Sequence, residues 1–419
     1  MEYIHRSIEE RLEAATGTFK AVLLTGPRQV GKSTLLKKMF PGRRYVTLDD
    51  PFAEQQAREN GSMFLMLNPD PVTIDEVQRA PELFRYIKME CDQSDDKGLF
   101  LLSGSQQFVL MKNVSETLSG RVRIMELSGL SMREIQGDSF NQRFLPVMEY
   151  ILERQKTVKP PKNIWDIIHR GSYPALQETD TEWAAFYGDY IRTYIERDVR
   201  ELSAVQDLEA FRRFMVAAAA RTGEMLNYSH LADEIGKDVS TVKSWVSILE
   251  ASGVIYLLEP YTANVLKRAI RTPKLYFRDT GLVCYLTRWL TAEALACGAF
   301  SGHIFETFVI SEILKSFSNV GLDYRYFVSY YRGRDRKRVK KNGETTEVES
   351  EIDFIIEENG ILYPVEIKKS ASVTPDVTGS FLVLDKIEGK KRGMGAVICM
   401  CSQPGLLREN ILQIPVWYI

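Results

Sequence analysis

Leu23-Leu24-Thr25-Gly26-Pro27-Arg28-Gln29-Val30-Gly31-Lys32-Ser33-Thr34-Leu35-Leu36 is the stretch whose reading decides the fold class of this chain. Lys20 to Thr25 is a short apolar run rich in β-formers, Gly26 to Gly31 is a loop with glycine at both ends, and Ser33 onward has helical spacing. The spacing is G-x-x-x-x-G-K-S. Such a strand-loop-helix turns backbone N–H groups of the loop and of the new helix into one concavity, where the helix dipole favours negative charge and a polyphosphate can be wrapped. Pro27, Arg28, Gln29, Val30 and Thr34 complete the lining. Gly26 and Gly31 permit the turn, Lys32 sets a point charge against the outer phosphates, and the Ser33 hydroxyl is one ligand of the accompanying Mg²⁺. The expected cofactors are therefore ATP and Mg²⁺.

A second motif agrees with the first. Pro71-Val72-Thr73-Ile74-Asp75-Glu76-Val77-Gln78 reads as a buried strand ending in two adjacent carboxylates. Asp75 is placed to hold Mg²⁺ through water, and Glu76 to polarise the attacking water. A third strand, Gly98 to Leu102, runs into Ser103-Gly104-Ser105-Gln106, from which Ser105 or Gln106 can reach the γ-phosphate or the lytic water.

The alternation of strand and helix up to about residue 127 predicts a parallel sheet covered on both faces, with ligands at the carboxyl ends of its strands. A helix is expected over residues 5 to 16, a strand at Arg44 to Leu48 ended by acids and proline, and a helical segment from Phe52 to Leu67. The whole chain reads as α/β. Its expected units are a nucleotide-binding domain at 1–130, a helical lid or connector at 131–206, a winged-helix unit at 207–294 and an α/β unit at 295–419.

Composition bounds the remaining choices. The 419 residues are 44% hydrophobic and 26% charged, which is ordinary for folded protein of two to four domains. A net charge of −2 neither suggests nor excludes nucleic acid. The five cysteines show no C-x-x-C pair and no zinc spacing, so they are expected to be reduced, in a cytoplasmic protein. Nowhere do eighteen apolar residues occur together, the length a membrane helix needs, and no membrane partner is expected.

These motifs resemble the AAA-type ATPases of bacteria and archaea that carry a carboxy-terminal domain of unknown function. The segments that carry the resemblance are "LTGPRQVGKST", "IDEVQRAPELF", "LLSGS", "ETLSGRVRIMELSGLSMREI" (116–135), "GSYPAL" (171–176), "YIRTYIERDV" (190–199) and "PKLYFRDTGL" (273–282). It covers nearly the whole chain, and it implies the fold more firmly than the purpose. It also marks Arg121, in Leu118-Ser119-Gly120-Arg121, as a candidate to sense γ-phosphate charge in cis or from a neighbouring subunit, a task that suits a planar, permanently charged guanidinium.

Two further patterns concern nucleic acid. Tyr228 to Ile235, a glycine turn, and a helix over Ser240 to Glu250 capped by serine make a helix-turn-helix, with Val254 to Leu258 and Leu275 to Phe277 as wing strands. Its second helix carries one cation, Lys243, so DNA contact and a protein-docking role both stay open. Lys267, Arg268, Arg271 and Lys274, together with the run from Arg332 to Lys341 read as a loop, are candidates for phosphate contact. Asp353, and Glu366 with Lys368 two residues on, resemble the PD-(D/E)xK nuclease core. In that core the acids hold Mg²⁺ and the lysine steadies the attacking water, and Glu306 on a helix nearby is a candidate to complete the site. Two classes of function stand at this point: an ATP-hydrolysing machine acting on nucleic acid, and a slow nucleotide-dependent switch that signals to a protein partner or a second copy of the chain.

Overall fold

Five short strands build the first sheet. In the computed structural model, which describes residues 3–105, 118–177, 180–195, 207–262, 272–339 and 345–419, with the side chains of 194, 195, 334–339 and 345–348 left aside, helix α1 (Glu9–Thr18) leads into β1 (Ala21–Thr25). Then follow α2 (Lys32–Met39), β2 (Arg44–Thr47), α3 (Pro51–Glu59), α4 (Gly61–Leu67), β3 (Val72–Asp75), α5 (Leu83–Gln93), β4 (Phe100–Gly104) and β5 (Val122–Glu126). All strand pairs are parallel, in the order β2-β3-β4-β1-β5. The alternation of side chains along β1 explains why both faces are covered. Ala21 and Leu23 join a core under α3 to α5, while Val22 and Leu24 face a second core.

That second core is continuous with everything downstream. Helices α6 (Met132–Ile135), α7 (Met148–Gln155), α8 (Ile164–Arg170) and α9 (Trp183–Tyr190) make the connecting region, where no strand occurs among the described residues. They are followed by α10 (Leu208–Ala219), α11 (Tyr228–Ile235), α12 (Val239–Ala251) and the antiparallel pair β6 (Ile255–Leu258) and β7 (Lys274–Phe277). Asn227 caps α11 by accepting from the His230 backbone N–H at 3.0 Å. The expected serine cap of the next helix is corrected: α12 starts one residue earlier, with Asp238 at the cap position and no side-chain cap bond.

After α13 (Thr280–Leu286) and α14 (Ala292–Cys297), the 19-residue α15 (Ser301–Asn319) runs through the middle of the protein. Most of its side chains are buried on every side, as a helix apolar all round requires. A buried ion pair on it, Lys315 with Glu312 at 2.8 Å, faces the first unit: Glu312 accepts from the Met132 backbone N–H (2.8 Å) and Lys315 donates to the Leu130 carbonyl (2.9 Å).

The second large sheet contains β8 (Val328–Val339), β9 (Thr345–Glu358), β10 (Ile361–Ile367), β11 (Lys391–Arg392), β12 (Gly395–Cys399), β13 (Gly405–Arg408) and β14 (Ile411–Pro415). Its order is β13-β14-β12-β10-β9-β8, with β11 beside β10. The pairs β8–β9 and β9–β10 are antiparallel, whereas β12 runs parallel to β10 after a crossover through Pro375–Lys386. Here the basic run is corrected. Residues 332–339 are strand, paired antiparallel with β9, and Arg332 at its start pairs with Glu349 across the ladder at 2.7 Å. The 259–261 segment leaving β6 covers the β8 edge through backbone bonds to Tyr330.

One carboxylate ties two of the recurring sequence segments together. Asp279 accepts from the Ser172 N–H and hydroxyl (both 2.7 Å), from the Tyr187 hydroxyl (2.6 Å) and, as the cap of α13, from the Leu282 N–H (2.7 Å). Replacing Asp279 by alanine leaves those buried donors without an acceptor, so a loss of about 2–4 kcal/mol is expected. Urea unfolding of the full chain, followed by tryptophan fluorescence, reads it as a lowered midpoint.

Candidate functional site

The loop after β1 is held in shape by its own lysine. Gly26 (φ +145°) lies against the Leu127 carbonyl too closely for any Cβ, and Gly31 (φ +94°) is left-handed, so glycine is required at both. Lys32, 6% exposed, donates to the carbonyls of Gly26 (3.0 Å) and Pro27 (2.8 Å). The ammonium thus rests on carbonyls of its own loop, at the first residue of α2.

Across from it, Asp75 gathers three hydroxyls. Ser33 Oγ donates to Asp75 Oδ2 at 2.6 Å, Tyr45 donates to the same oxygen, and Ser103 donates to Oδ1. Burial alone would raise the Asp75 pKa, but the bonds from Ser103, Ser33 and Tyr45 and the charge of Lys32 outweigh it and hold the carboxylate ionised. Glu76, in the left-handed region (φ 56°), bonds to Gln78, and Ser105 Oγ donates to its Oε2 at 3.4 Å. Pairing a Mg²⁺-type hydroxyl with a carboxylate, beside a second held acid, is the donor set that a nucleotide-bound magnesium needs.

The structure brings Gly26 to Ser33, Asp75, Glu76 and Ser105 together at the carboxyl edge of the sheet. Arg121 is elsewhere, which corrects the cis reading. It precedes β5, its carbonyl accepts from the Ala21 N–H at the amino edge, and its guanidinium pairs with Asp92. Five residues of strand, roughly 16 Å, separate that edge from Gly26. Gln106 lies outside the described residues, as do Lys267, Arg268 and Arg271, and the side chains of 334–341 are likewise not described.

Sequence reasoning missed the groups behind the loop. Arg6 donates to the carbonyls of Val30 (2.8 Å) and Ser128 (2.7 Å) and pairs with Glu134 (3.2 Å). Pro27 meets Gly253, where an added Cβ would stand 2.8 Å from its ring, and beside them Arg278 pairs with Glu126 at the end of β5. Glu126 also takes Arg325 at 3.0 Å. The signal available in the sequence was Arg278 itself, inside "PKLYFRDTGL", but its acidic partner is about 150 residues away in the chain.

A second cluster lies between α15, β7, β9 and β10. Asp353 Oδ2 accepts from the Ile367 N–H (2.9 Å), and Lys368 Nζ is 2.6 Å from Glu366 and 3.7 Å from Asp353. Glu306 accepts from the Tyr276 hydroxyl at 2.6 Å. All four expected residues are therefore neighbours. Lys274 joins them, which corrects its place on the phosphate-contacting loop: it is 3% exposed and paired with Glu351 (2.6 Å) and Glu306 (3.7 Å). Burial, with Asp353 beside them, pushes Glu366 up to about 8 and Glu306 up to about 7. Lys368 is held charged because Asp353 and then Glu366 outweigh its burial. Glu366 Oε2 is buried with no hydrogen-bond partner, an orphan that a cation would satisfy.

On the helical pair, α12 exposes Val239, Ser240, Lys243, Ser244, Ser247 and Glu250, a weakly charged face. Among the described residues no helix is long and apolar enough to cross a membrane, and all five cysteines are free.

Comparison with known proteins bears on the first site. Residues 18–136 match the AAA domain, which supports an AAA-type ATPase, while 161–293 and 301–419 match two domains of unknown function (DUF8612 and DUF4143). An uncharacterised protein of Mycobacterium tuberculosis and one of Mycobacterium bovis are each 29% identical over 376 residues, 90% of this chain and 76% of theirs. Among solved structures, a Walker-type ATPase of Pyrococcus abyssi overlaps with a TM-score of 0.38 at 16% identity, over 68% of this chain and 96% of that one. RuvB of Thermotoga maritima gives 0.30 at 14% identity, over 59% and 88%.

The raised carboxyls fix the sign of a pH effect. Between the ordinary glutamate value of 4.5 and about 8, Glu366 keeps its proton in the folded chain and loses it in the unfolded one. The native state then binds more protons, so this group's contribution to stability falls as pH rises through that window. Urea midpoints of wild type and Glu366→Gln at pH 5, 6.5 and 8 should diverge, with the variant relatively more stable at pH 8.

Proposed function

We propose that this chain is a Mg²⁺-dependent ATPase whose nucleotide site governs its carboxy-terminal units. The observation that carries this reading is the Ser33 to Asp75 bond of 2.6 Å beside a lysine that rests on the loop's own carbonyls. Bound nucleotide would be held by residues 26–34, and the magnesium by Ser33 and Asp75, where it neutralises phosphate charge. Lys32 would leave the carbonyls of Gly26 and Pro27 for the phosphates, Glu76 would take the proton of the attacking water, and Ser105 would orient Glu76. Arg121 is a candidate to act on a neighbouring copy, which makes self-association part of the proposal.

Three features support coupling to the carboxy-terminal units. Pro27 of the loop packs on Gly253, Arg278 pairs with Glu126, and β7, which ends at Phe277 just before Arg278, begins at Lys274 in the carboxylate cluster. The order of α10, α11, α12, β6 and β7 favours a winged helix, and a meander followed by a parallel crossover, with Asp353, Glu366 and Lys368 together, favours a nuclease-like unit. On this reading the partner is DNA, held through phosphates.

The second reading, a nucleotide switch for a protein partner with a silent nuclease-like unit, is favoured by two observations. The exposed face of α12 carries one cation, Lys243. Among the described residues no three His, Cys, Asp or Glu side chains are placed to hold a metal ion.

Nucleotide at a hundredfold excess over its dissociation constant should stabilise the first unit by about 2.7 kcal/mol, raising its midpoint by roughly 5–10 °C. Lys32→Ala should remove the shift; Glu76→Gln should keep the shift and lose turnover. Wild type without any nucleotide-dependent shift contradicts the ATPase reading. Turnover measured with and without duplex DNA separates the two classes: stimulation by DNA supports the first, and an unchanged slow rate the second.

A further inference from the structure

The acid read as the base of the first site is held by an amide. Glu76 stands in the left-handed region (φ 56°) and opens the single tight turn Val77–Arg79, which is anchored by the fully buried Val77 and Ala80. That backbone is costly for a residue with a Cβ. Across the turn, Gln78 Nε2 donates to Glu76 Oε2, and Ser105 Oγ reaches the same oxygen at 3.4 Å. Gln78 Nε2 also lies 3.4 Å from Ser105 Oγ, so the three side chains close a triangle. The pleat of β4 arranges this: Ser103 bonds Asp75, and Ser105, two residues on, falls on the same side against Glu76.

The amide is left half satisfied. A carboxylate only accepts, so the NH₂ group of Gln78 must face Glu76, which leaves its carbonyl oxygen on the other side. Gln78 is 9% exposed, and its Oε1 is buried without a hydrogen-bond partner among the described residues. A buried acceptor left open costs free energy until a donor arrives. Both donors to the acid sit on Oε2, which leaves Glu76 Oε1 to take a proton. An amide oxygen and a carboxylate oxygen side by side suit one water molecule, which has two hydrogens to give.

We infer that Gln78 positions the attacking water, its Oε1 accepting one hydrogen of that water while Glu76 takes the other. The inference rests on the reading of Glu76 as the base of an ATPase. The water oxygen forms a bond to the γ-phosphorus, and the bond from phosphorus to the bridging oxygen breaks with its electron pair going to ADP. The proton passes to Glu76. Gln78 acts only on the water, so its contribution belongs to the transition state and not to nucleotide binding.

Thermal shifts of the full chain with Mg²⁺ test it, with a slowly hydrolysed ATP analogue as the binding probe and ADP with aluminium fluoride as the mimic of the transferring phosphoryl group. Gln78→Met, of similar length but without the amide, should keep the shift with the ATP analogue and lose most of the extra shift with ADP and aluminium fluoride. It should also turn over ~100-fold more slowly at saturating ATP, with KM near wild type. Turnover equal to or above wild type overturns the role of Gln78 and leaves the ATPase reading standing. Shifts that fall together with both probes mean a lost site shape and contradict a positioning role. Wild type with neither shift nor turnover overturns the ATPase reading, and this inference with it. If Gln78→Met does not fold, wild type labelled with ¹⁵N-glutamine decides: the Gln78 side-chain amide signal should move when aluminium fluoride joins ADP and Mg²⁺, and a signal that stays in place contradicts the proposal.

Discussion

A charge buried in protein has to be matched where it lies, and strand β7 carries one at each end. Leu275, Tyr276 and Phe277 are each 1% exposed, so the strand cannot slide towards solvent to relieve either charge. Lys274 at its start is matched by Glu306 and Glu351, and Arg278 just past its end by Glu126. Burial lowers the arginine pKa, but Glu126 more than compensates and the guanidinium stays charged. Four residues of strand thus join the carboxyl edge of the first sheet to the acids of the second. The rest of the architecture fits this requirement: α15 packs under β7, and Pro27 of the nucleotide loop closes on Gly253 beside Arg278.

The two acidic sites solve opposite problems with the same chemistry. Asp75 is buried, but three hydroxyl donors and Lys32 hold it ionised. Glu366 and Glu306 are buried with fewer donors and with Asp353 as a like charge, so protons or lysines compensate them. The first site is preorganised. The second is balanced between like charges and the lysines beside them.

Much of the first unit was legible because its signals are local. A glycine that must approach the Leu127 carbonyl, a lysine at the start of a helix, and acids at a strand end are each fixed within a few residues; β1, α2 and β3 stand where the pattern placed them, and β4 runs two residues later than the expected Gly98 to Leu102. Asp353, Glu366 and Lys368 were legible for the same reason, since a hairpin of short loop sets their register. What was not legible depends on distant pairing. Tyr45 and Ser103 reach Asp75 only once β2 and β4 flank β3, and Arg121 falls at the wrong edge because strand polarity, not sequence distance, decides which end of the sheet a residue occupies. Lys274 read as a surface cation among basic neighbours, and nothing local says that it points into a cluster formed by residues 306 to 368. The basic run at 332–339 looked like a loop because the strand it pairs with is the far arm of a long hairpin.

The central claim is that β7 links the nucleotide loop to the carboxylate cluster, and hydrogen exchange of the full chain tests it most directly. With Mg²⁺ and a slowly hydrolysed ATP analogue, exchange should slow in residues 26–36 and change together with it in residues 272–278 and 351–368. A response confined to 26–36 and 72–78, with β7 and the cluster unaltered, would contradict the account.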